Sequence, residues 1–138
     1  MGYIFLDHTT DAIVEVTAST LEEAFTDAAI SAVDITLDRK TVSAVEERRL
    51  AVSGQNLDYL LFNWLEEVVY LLITRGFAVR RFSVDISHDA TYRIDAIAYG
   101  EPIDLKRHQF KVEIKAPTFH DMEIKEGSDI VMTFLLDL

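Results

Sequence analysis

The sequence predicts an α+β fold in which two main helices pack on an antiparallel or mixed β-sheet. Two segments carry apolar residues at helical spacing, and six to eight segments alternate apolar with polar residues. Short turns separate most of these segments. The 138 residues, 49% of them apolar, are enough for one hydrophobic core, so we expect a single domain over residues 1–138.

The first elements are a short strand over 3–6 and a second strand over 12–18, joined by the polar segment 7–11. A capping box, with Ser19 or Thr20 as the N-cap, then begins the first helix. This helix places a stripe of small and apolar residues on one face, which allows close packing on a sheet: Leu21, Ala24, Phe25, Ala28, Ala32 and Val33.

A strand over 42–52 has its charged residues, 46–49, at an exposed edge or bend. Asn56 is the predicted N-cap of the second helix and Gly76 its C-terminal cap. Because aromatic residues make this helix apolar almost all round, we expect it at the centre of the core.

Residues 81–98 predict a hairpin that turns at 88–90, since apolar residues alternate on both of its arms. A loop then runs from Gly100 to Gln109. The next strand is predicted from Phe110, with apolar residues alternating over 110–114 and Lys115 facing away from the core, to its end at Pro117. Gly127 marks a turn before a last, largely buried strand over 130–136.

The charge pattern excludes several functional classes. Thirteen basic residues oppose 24 acidic ones, for a net charge of −11, which argues against a dedicated nucleic-acid-binding protein. Cysteine is absent, which excludes thiolate chemistry. The sequence has no Gly-rich phosphate loop, G-x-S-x-G or H-E-x-x-H motif. Without a signal peptide or an uncharged apolar span, we expect a cytoplasmic protein with no membrane partner.

The acidic residues concentrate near both ends of the sequence. Residues 1–38 hold eight acids and no Lys or Arg, and residues 116–138 hold five acids and one Lys. If the two ends lie side by side, their carboxylates repel one another unless a cation lies between them. The pattern therefore fits either a solvated acidic surface or a metal site built from both ends.

Asp11 and Asp137 are the candidate metal ligands, with the α-carboxyl group of Leu138 as a third. Asp7 and His8 could supplement them. Calcium, magnesium and manganese ions take such oxygen ligands. The alternative is that Asp11 caps a turn and Asp137 is a solvated strand end.

A second group of polar residues follows the strand predicted over 110–114. Lys115, His120 and Asp121 lie close in sequence, and a Lys beside a His can orient a phosphate or act in proton transfer. Lys115 can equally be a solvated strand residue. His8, His88 and His108 show no metal-ligand spacing among themselves.

Several motifs together make the chain resemble the archease family. Residues 7–11, D-H-T-T-D, are similar to the family's H-T-A-D motif, with Thr10 where alanine is usual, and 115–120, K-A-P-T-F-H, to its K-A-x-T-[YF]-H. The resemblance covers essentially the whole chain. It also includes the long helix at 57–67, Gly100-Glu101-Pro102 with Asp104 and His108, and the final Leu136-Asp137-Leu138.

Archeases are cofactor proteins of the RtcB-type RNA ligase, which uses manganese and GTP in tRNA splicing and RNA repair. The resemblance implies a non-catalytic activator that accelerates ligase guanylylation and allows multiple turnover, and that meets tRNA only through the ligase. One divalent ion (calcium, manganese or magnesium) would bind Asp11, Asp137 and the main-chain or terminal oxygen of Leu138. Lys115 would be the functionally important lysine, and His120, Asp7 and His8 would assist activation.

Two other classes of function fit the residues. A small metal-dependent enzyme could perform phosphoester or nucleotidyl-transfer chemistry with Asp11, Asp137 and Lys115. A chaperone-like interaction module would use the carboxylates only to stabilise its fold.

Overall fold

The computed structural model describes residues 2–6 and 10–138. Within them the chain forms two α-helices and seven strands, which confirms the predicted α+β fold. The elements are β1 (Gly2–Phe5), β2 (Asp11–Ala18), α1 (Leu21–Thr36), β3 (Glu46–Gly54), α2 (Leu57–Val69), β4 (Phe77–His88), β5 (Tyr92–Pro102), β6 (Ala116–Glu126) and β7 (Ile130–Asp137).

The strands form two sheets rather than one, and every strand pair is antiparallel. The four-stranded sheet has the order β1-β2-β7-β6 and the three-stranded sheet the order β3-β5-β4. In the larger sheet, β2 and β7 pair without a break from Asp11 opposite Asp137 to Ala18 opposite Ile130. The two acidic ends of the sequence therefore meet in the centre of one sheet.

Both helices begin at predicted caps. The Thr20 hydroxyl accepts the Glu23 N–H at 3.1 Å, and the Asn56 side chain accepts the Tyr59 N–H at 2.9 Å. After α2 a π-helical turn, Tyr70–Thr74, leads to Gly76, whose φ of +61° suits glycine. Of the helices in the described residues, none combines the length and apolar character needed to cross a lipid bilayer.

Buried residues from both helices and both sheets join in one hydrophobic cluster. β2 alternates buried with half-buried residues, because its even-numbered side chains face the helices and its odd-numbered ones face outward. Helix α2 contacts β3 and β6, the edge strands of the two sheets. It therefore packs between the two sheets, but Tyr59 and Glu66 on its remaining side are exposed, so the expectation of a helix surrounded by the core is wrong for that side.

The prediction of a strand over residues 110–114 is wrong. These residues are irregular, and β6 begins only at Ala116 and continues through Pro117. The N–H of Lys111 donates to Thr36 O at 2.7 Å, toward the end of α1, instead of to a neighbouring strand. Since β6 is an edge strand, it tolerates a proline that lacks an N–H donor.

An irregular bulge of several residues interrupts β6. The register shifts from Thr118 opposite Leu135 to Glu123 opposite Thr133, so the strand carries extra residues that its partner does not match. Asp121 within it has a left-handed φ of +58°. The bulge brings Phe119 onto α2, where its ring stacks on Phe62 with centroids 4.2 Å apart.

Candidate functional site

Asp11 and Asp137 lie directly opposite one another on β2 and β7. The Leu138 N–H donates to Thr10 O at 3.2 Å, which makes the two aspartates a non-hydrogen-bonded pair, the closer of the two antiparallel arrangements. Their Cβ atoms are therefore about 4.5–5.5 Å apart on the same face of the sheet. Because Ala12 and Leu136 are buried on the helix side, this face points outward.

Two carboxylates in this position repel each other, and a bound cation would relieve that repulsion. The pair and the main-chain oxygen of Leu138 are hard oxygen donors of the kind that calcium, magnesium and manganese ions prefer. Within residues 2–6 and 10–138, no three acidic or histidine side chains lie close enough together to hold a metal ion. The side-chain donors here are therefore the two carboxylates alone. Together with main-chain oxygen, they are of the chemical type that binds a divalent ion.

Lys115 lies beside the carboxylate pair. Its N–H donates to Asp137 O at 2.8 Å, and the next residue, Ala116, is the register partner of Asp137 on β6. The Lys115 side chain is exposed, so its ammonium group can extend toward a ligand at this end of the sheet. The structure therefore brings Asp11, Asp137, Leu138 and Lys115 together, and we call this group the carboxylate tip.

His120 and Asp121 lie on the β6 bulge rather than in the carboxylate tip. The His120 Nε2 atom is 3.2 Å from Asp121 Oδ2, and both side chains are more than 70% exposed. This ring nitrogen thus pairs with its sequence neighbour. Asp7 and His8, the other predicted contributors, lie outside the described residues.

A buried polar network anchors the loop after β5, and sequence reasoning missed it. Asp104 N–H donates to His108 Nδ1 at 2.9 Å, so the proton of the neutral ring is on Nε2, which lies 2.9 Å from Glu101 Oε2. The Arg107 guanidinium, with the Ser43 N–H and the His108 ring, lowers the pKa of Glu101 to about 2. The family resemblance includes Glu101, Asp104 and His108, but nothing in the sequence indicates that these residues hydrogen-bond to one another.

His88, the remaining histidine in the described residues, is also structural. Its ring stacks on that of Tyr92, with centroids 3.7 Å apart, at the turn of the β4–β5 hairpin. Neither His88 nor His108 is placed as a ligand of the carboxylate tip.

The chain is thus a small α+β protein that places a carboxylate pair, with a lysine beside it, at one end of a four-stranded sheet. The chain belongs to the Archease protein family, whose model matches residues 3–138. It is 35% identical to Protein archease of Pyrobaculum islandicum, over 96% of this chain and 91% of that one. It is 37% identical to Protein archease of Pyrococcus abyssi, over 89% and 87% of the two chains.

A solved structure shows the same fold. The solution structure of Methanobacterium thermoautotrophicum protein 1598 superposes with a TM-score of 0.85, at 34% identity and 99% coverage of both chains. The arrangement of two helices and two antiparallel sheets is therefore shared across nearly the whole length.

Proposed function

We propose that this protein activates an RtcB-type RNA ligase by accelerating its GTP-dependent guanylylation and allowing multiple turnover. The observation that carries the proposal is the register of Asp11 opposite Asp137, with Lys115 bonded to the same strand end. The resemblance to archeases supplies the ligase as partner. In this role the protein acts in the cytoplasm and meets tRNA only through the ligase.

In this proposal Asp11, Asp137 and the main-chain oxygen of Leu138 hold one divalent ion, either calcium, manganese or magnesium. The ion would supply positive charge close to the phosphates of GTP. Lys115 contributes a mobile ammonium group that can contact the same phosphates. His120, Asp7 and His8, which belong to the two motifs of the resemblance, assist activation of the ligase.

The proposed role requires no catalysis by this chain. A hundredfold faster guanylylation needs only about 2.7 kcal/mol of barrier lowering, which positioning of charged groups can supply. The net charge of −11 also favours encounter with a cationic, RNA-binding ligase. Association should therefore slow as the salt concentration rises.

The test is guanylylation of a purified RtcB-type ligase with labelled GTP and manganese, with this protein at substoichiometric amounts. Wild type is compared with Asp11→Ala, Lys115→Ala and Asp137→Ala, after melting curves show that each variant is folded. We expect stimulation by wild type and its loss in all three variants. Absence of stimulation with a cognate ligase contradicts the proposal. GTP or phosphoester turnover by the protein alone would instead indicate a metal-dependent enzyme.

A further inference from the structure

One side of α2 faces neither sheet. The helix contacts β3 and β6 on its flanks. Its side chains at 59, 62 and 66, and Tyr70 at the start of the π-helical turn, follow helical spacing along the remaining side. Tyr59 and Tyr70 are 44% and 46% exposed, Phe62 is half-buried and Glu66 is exposed. This outward side of α2, together with Phe119 of the β6 bulge, is called the aromatic face.

The aromatic face is rigidly assembled. Phe119 stacks on Phe62 and meets the Tyr59 ring edge-on, with centroids 5.3 Å apart, yet remains 46% exposed. Three aromatic rings thus present a fixed surface, and partially exposed aromatic residues of this kind are enriched in protein interfaces. Because neighbouring rings already hold them, binding costs little side-chain entropy.

The charged residues of the helical segment that carries two of these rings are all acidic. Residues 57–74 contain Asp58, Glu66 and Glu67 and no Lys or Arg. Across the described part of the chain, the ion pairs involve none of these three acids. The first cation beyond the helix is Arg75, whose guanidinium lies 5.6 Å from the Tyr70 ring centroid and closes the face at that end.

We propose that the aromatic face docks a protein surface that presents arginine side chains. A guanidinium group can stack on a ring while it pairs with a carboxylate, and the face offers both groups side by side. The three carboxylates would repel a nucleic acid, and they would also repel the same carboxylates of a second copy. The inference rests on the proposed function in assigning this cationic surface to the RNA ligase.

The aromatic face and the carboxylate tip lie on different sides of the four-stranded sheet. Asp11 and Asp137 point from the outer side of the four-stranded sheet, whereas α2 packs on its inner side. The aromatic face therefore supplies affinity for the ligase, and the carboxylate tip supplies the stimulation. Variants of the two should change different measured quantities.

The test measures the dissociation constant of the protein with purified RtcB-type ligase, and separately the maximal guanylylation rate at saturating protein. Glu66→Lys is compared with Glu47→Lys, which makes the same charge change on the exposed face of β3. Phe119→Ala is compared with Phe5→Ala, since Phe5 is 43% exposed on β1. Melting curves verify that all four variants are folded.

We expect Glu66→Lys and Phe119→Ala to weaken binding about tenfold or more, as interface hot spots do, with the maximal rate unchanged. The two controls should bind as wild type does, apart from an equal salt-dependent effect of the charge reversals. Asp137→Ala should bind normally and lose stimulation.

Equal affinities for each variant and its control would overturn the docking assignment while leaving the proposed function intact. A wild type that neither binds nor stimulates the ligase would overturn both. Self-association of the wild type, or binding to free single-stranded RNA, that Phe119→Ala abolishes would assign the face to that occupant and also overturn the proposal.

Discussion

The indole N–H of Trp64 donates a 2.8 Å hydrogen bond to the backbone carbonyl of Phe25, and both side chains are fully buried. This bond joins α2 to α1 inside the core. Tryptophan is suited to the position because its polar atom finds a partner while its ring fills a large volume.

Trp64→Phe should therefore lower the free energy of unfolding by about 2 kcal/mol, from the lost hydrogen bond and the cavity that a smaller ring leaves. Urea denaturation measures the change. Tyr70→Phe, at an exposed ring just after the same helix, is the control and should change stability by less than about 0.5 kcal/mol. If the two substitutions changed the free energy of unfolding equally, the hydrogen bond from Trp64 to the Phe25 carbonyl would contribute nothing to stability.

The opposed carboxylates of Asp11 and Asp137 predict a dependence of stability on metal. With chelator present, Asp137→Asn should be at least as stable as wild type, because it removes like-charge repulsion. A divalent ion at a hundred times its dissociation constant should stabilise wild type by about 2.7 kcal/mol. The variant should gain much less.

Thermal melting with EDTA, calcium, magnesium or manganese tests this. Asp129→Asn removes the same charge in an exposed turn and should gain as much from the ion as wild type. An equal gain in Asp137→Asn would be incompatible with a metal site at the carboxylate tip.

Glu101 predicts a distinct loss of stability in acid. Since the folded state lowers its pKa from 4.5 to about 2, the carboxylate stabilises the fold fully above pH 4.5, and that contribution disappears as the pH falls toward 2. Glu101→Gln should be less stable than wild type at neutral pH. The difference should shrink between pH 4.5 and 2, as urea denaturation at each pH would reveal. A difference that stays constant with pH would refute this account.

Gly100 is required by the close approach of two strands. A Cβ atom there would lie 1.8 Å from the Ala78 carbonyl oxygen, whereas at Gly127 the nearest atom would be 3.8 Å away. Gly100→Ala should thus cost more than about 2 kcal/mol of unfolding free energy, since backbone must move to admit the methyl group. Gly127→Ala, measured in the same denaturation series, should be nearly neutral. Comparable stability of the two variants would argue against the clash.

Sequence patterns predicted the elements whose formation depends on neighbouring residues. The N-caps Thr20 and Asn56 are local, as is the period of the β4–β5 hairpin, and all are found in the structure. Gly76 has the left-handed φ expected of it, but α2 ends at Val69 and a π-helical turn lies between the two. The irregular segment 110–114 shows where such patterns fail. Its alternation of apolar residues suits a strand, yet the Lys111 N–H is bound by the distant Thr36 carbonyl.

The same distinction applies to the candidate site. The acids near both ends of the sequence indicated Asp11 and Asp137 as candidate ligands, with a solvated acidic surface as the alternative, and the register places the two residues opposite each other. The buried pairing of His108 with Glu101 could not be predicted, since it depends on how the loop folds back on β5. Nor could the contact of Phe119 with α2, because the bulge that produces it leaves no mark in the sequence.

The three-stranded sheet and α2 come from one continuous stretch, residues 46–102, but the four-stranded sheet joins strands from both ends of the sequence. Contacts between distant segments carry the larger loop-closure entropy and form late in folding. We therefore expect Asp11 and Asp137 to meet late in folding. Mild denaturant should separate them while α2 and its sheet persist, so that the proposed ligase activation would disappear before the helical signal does.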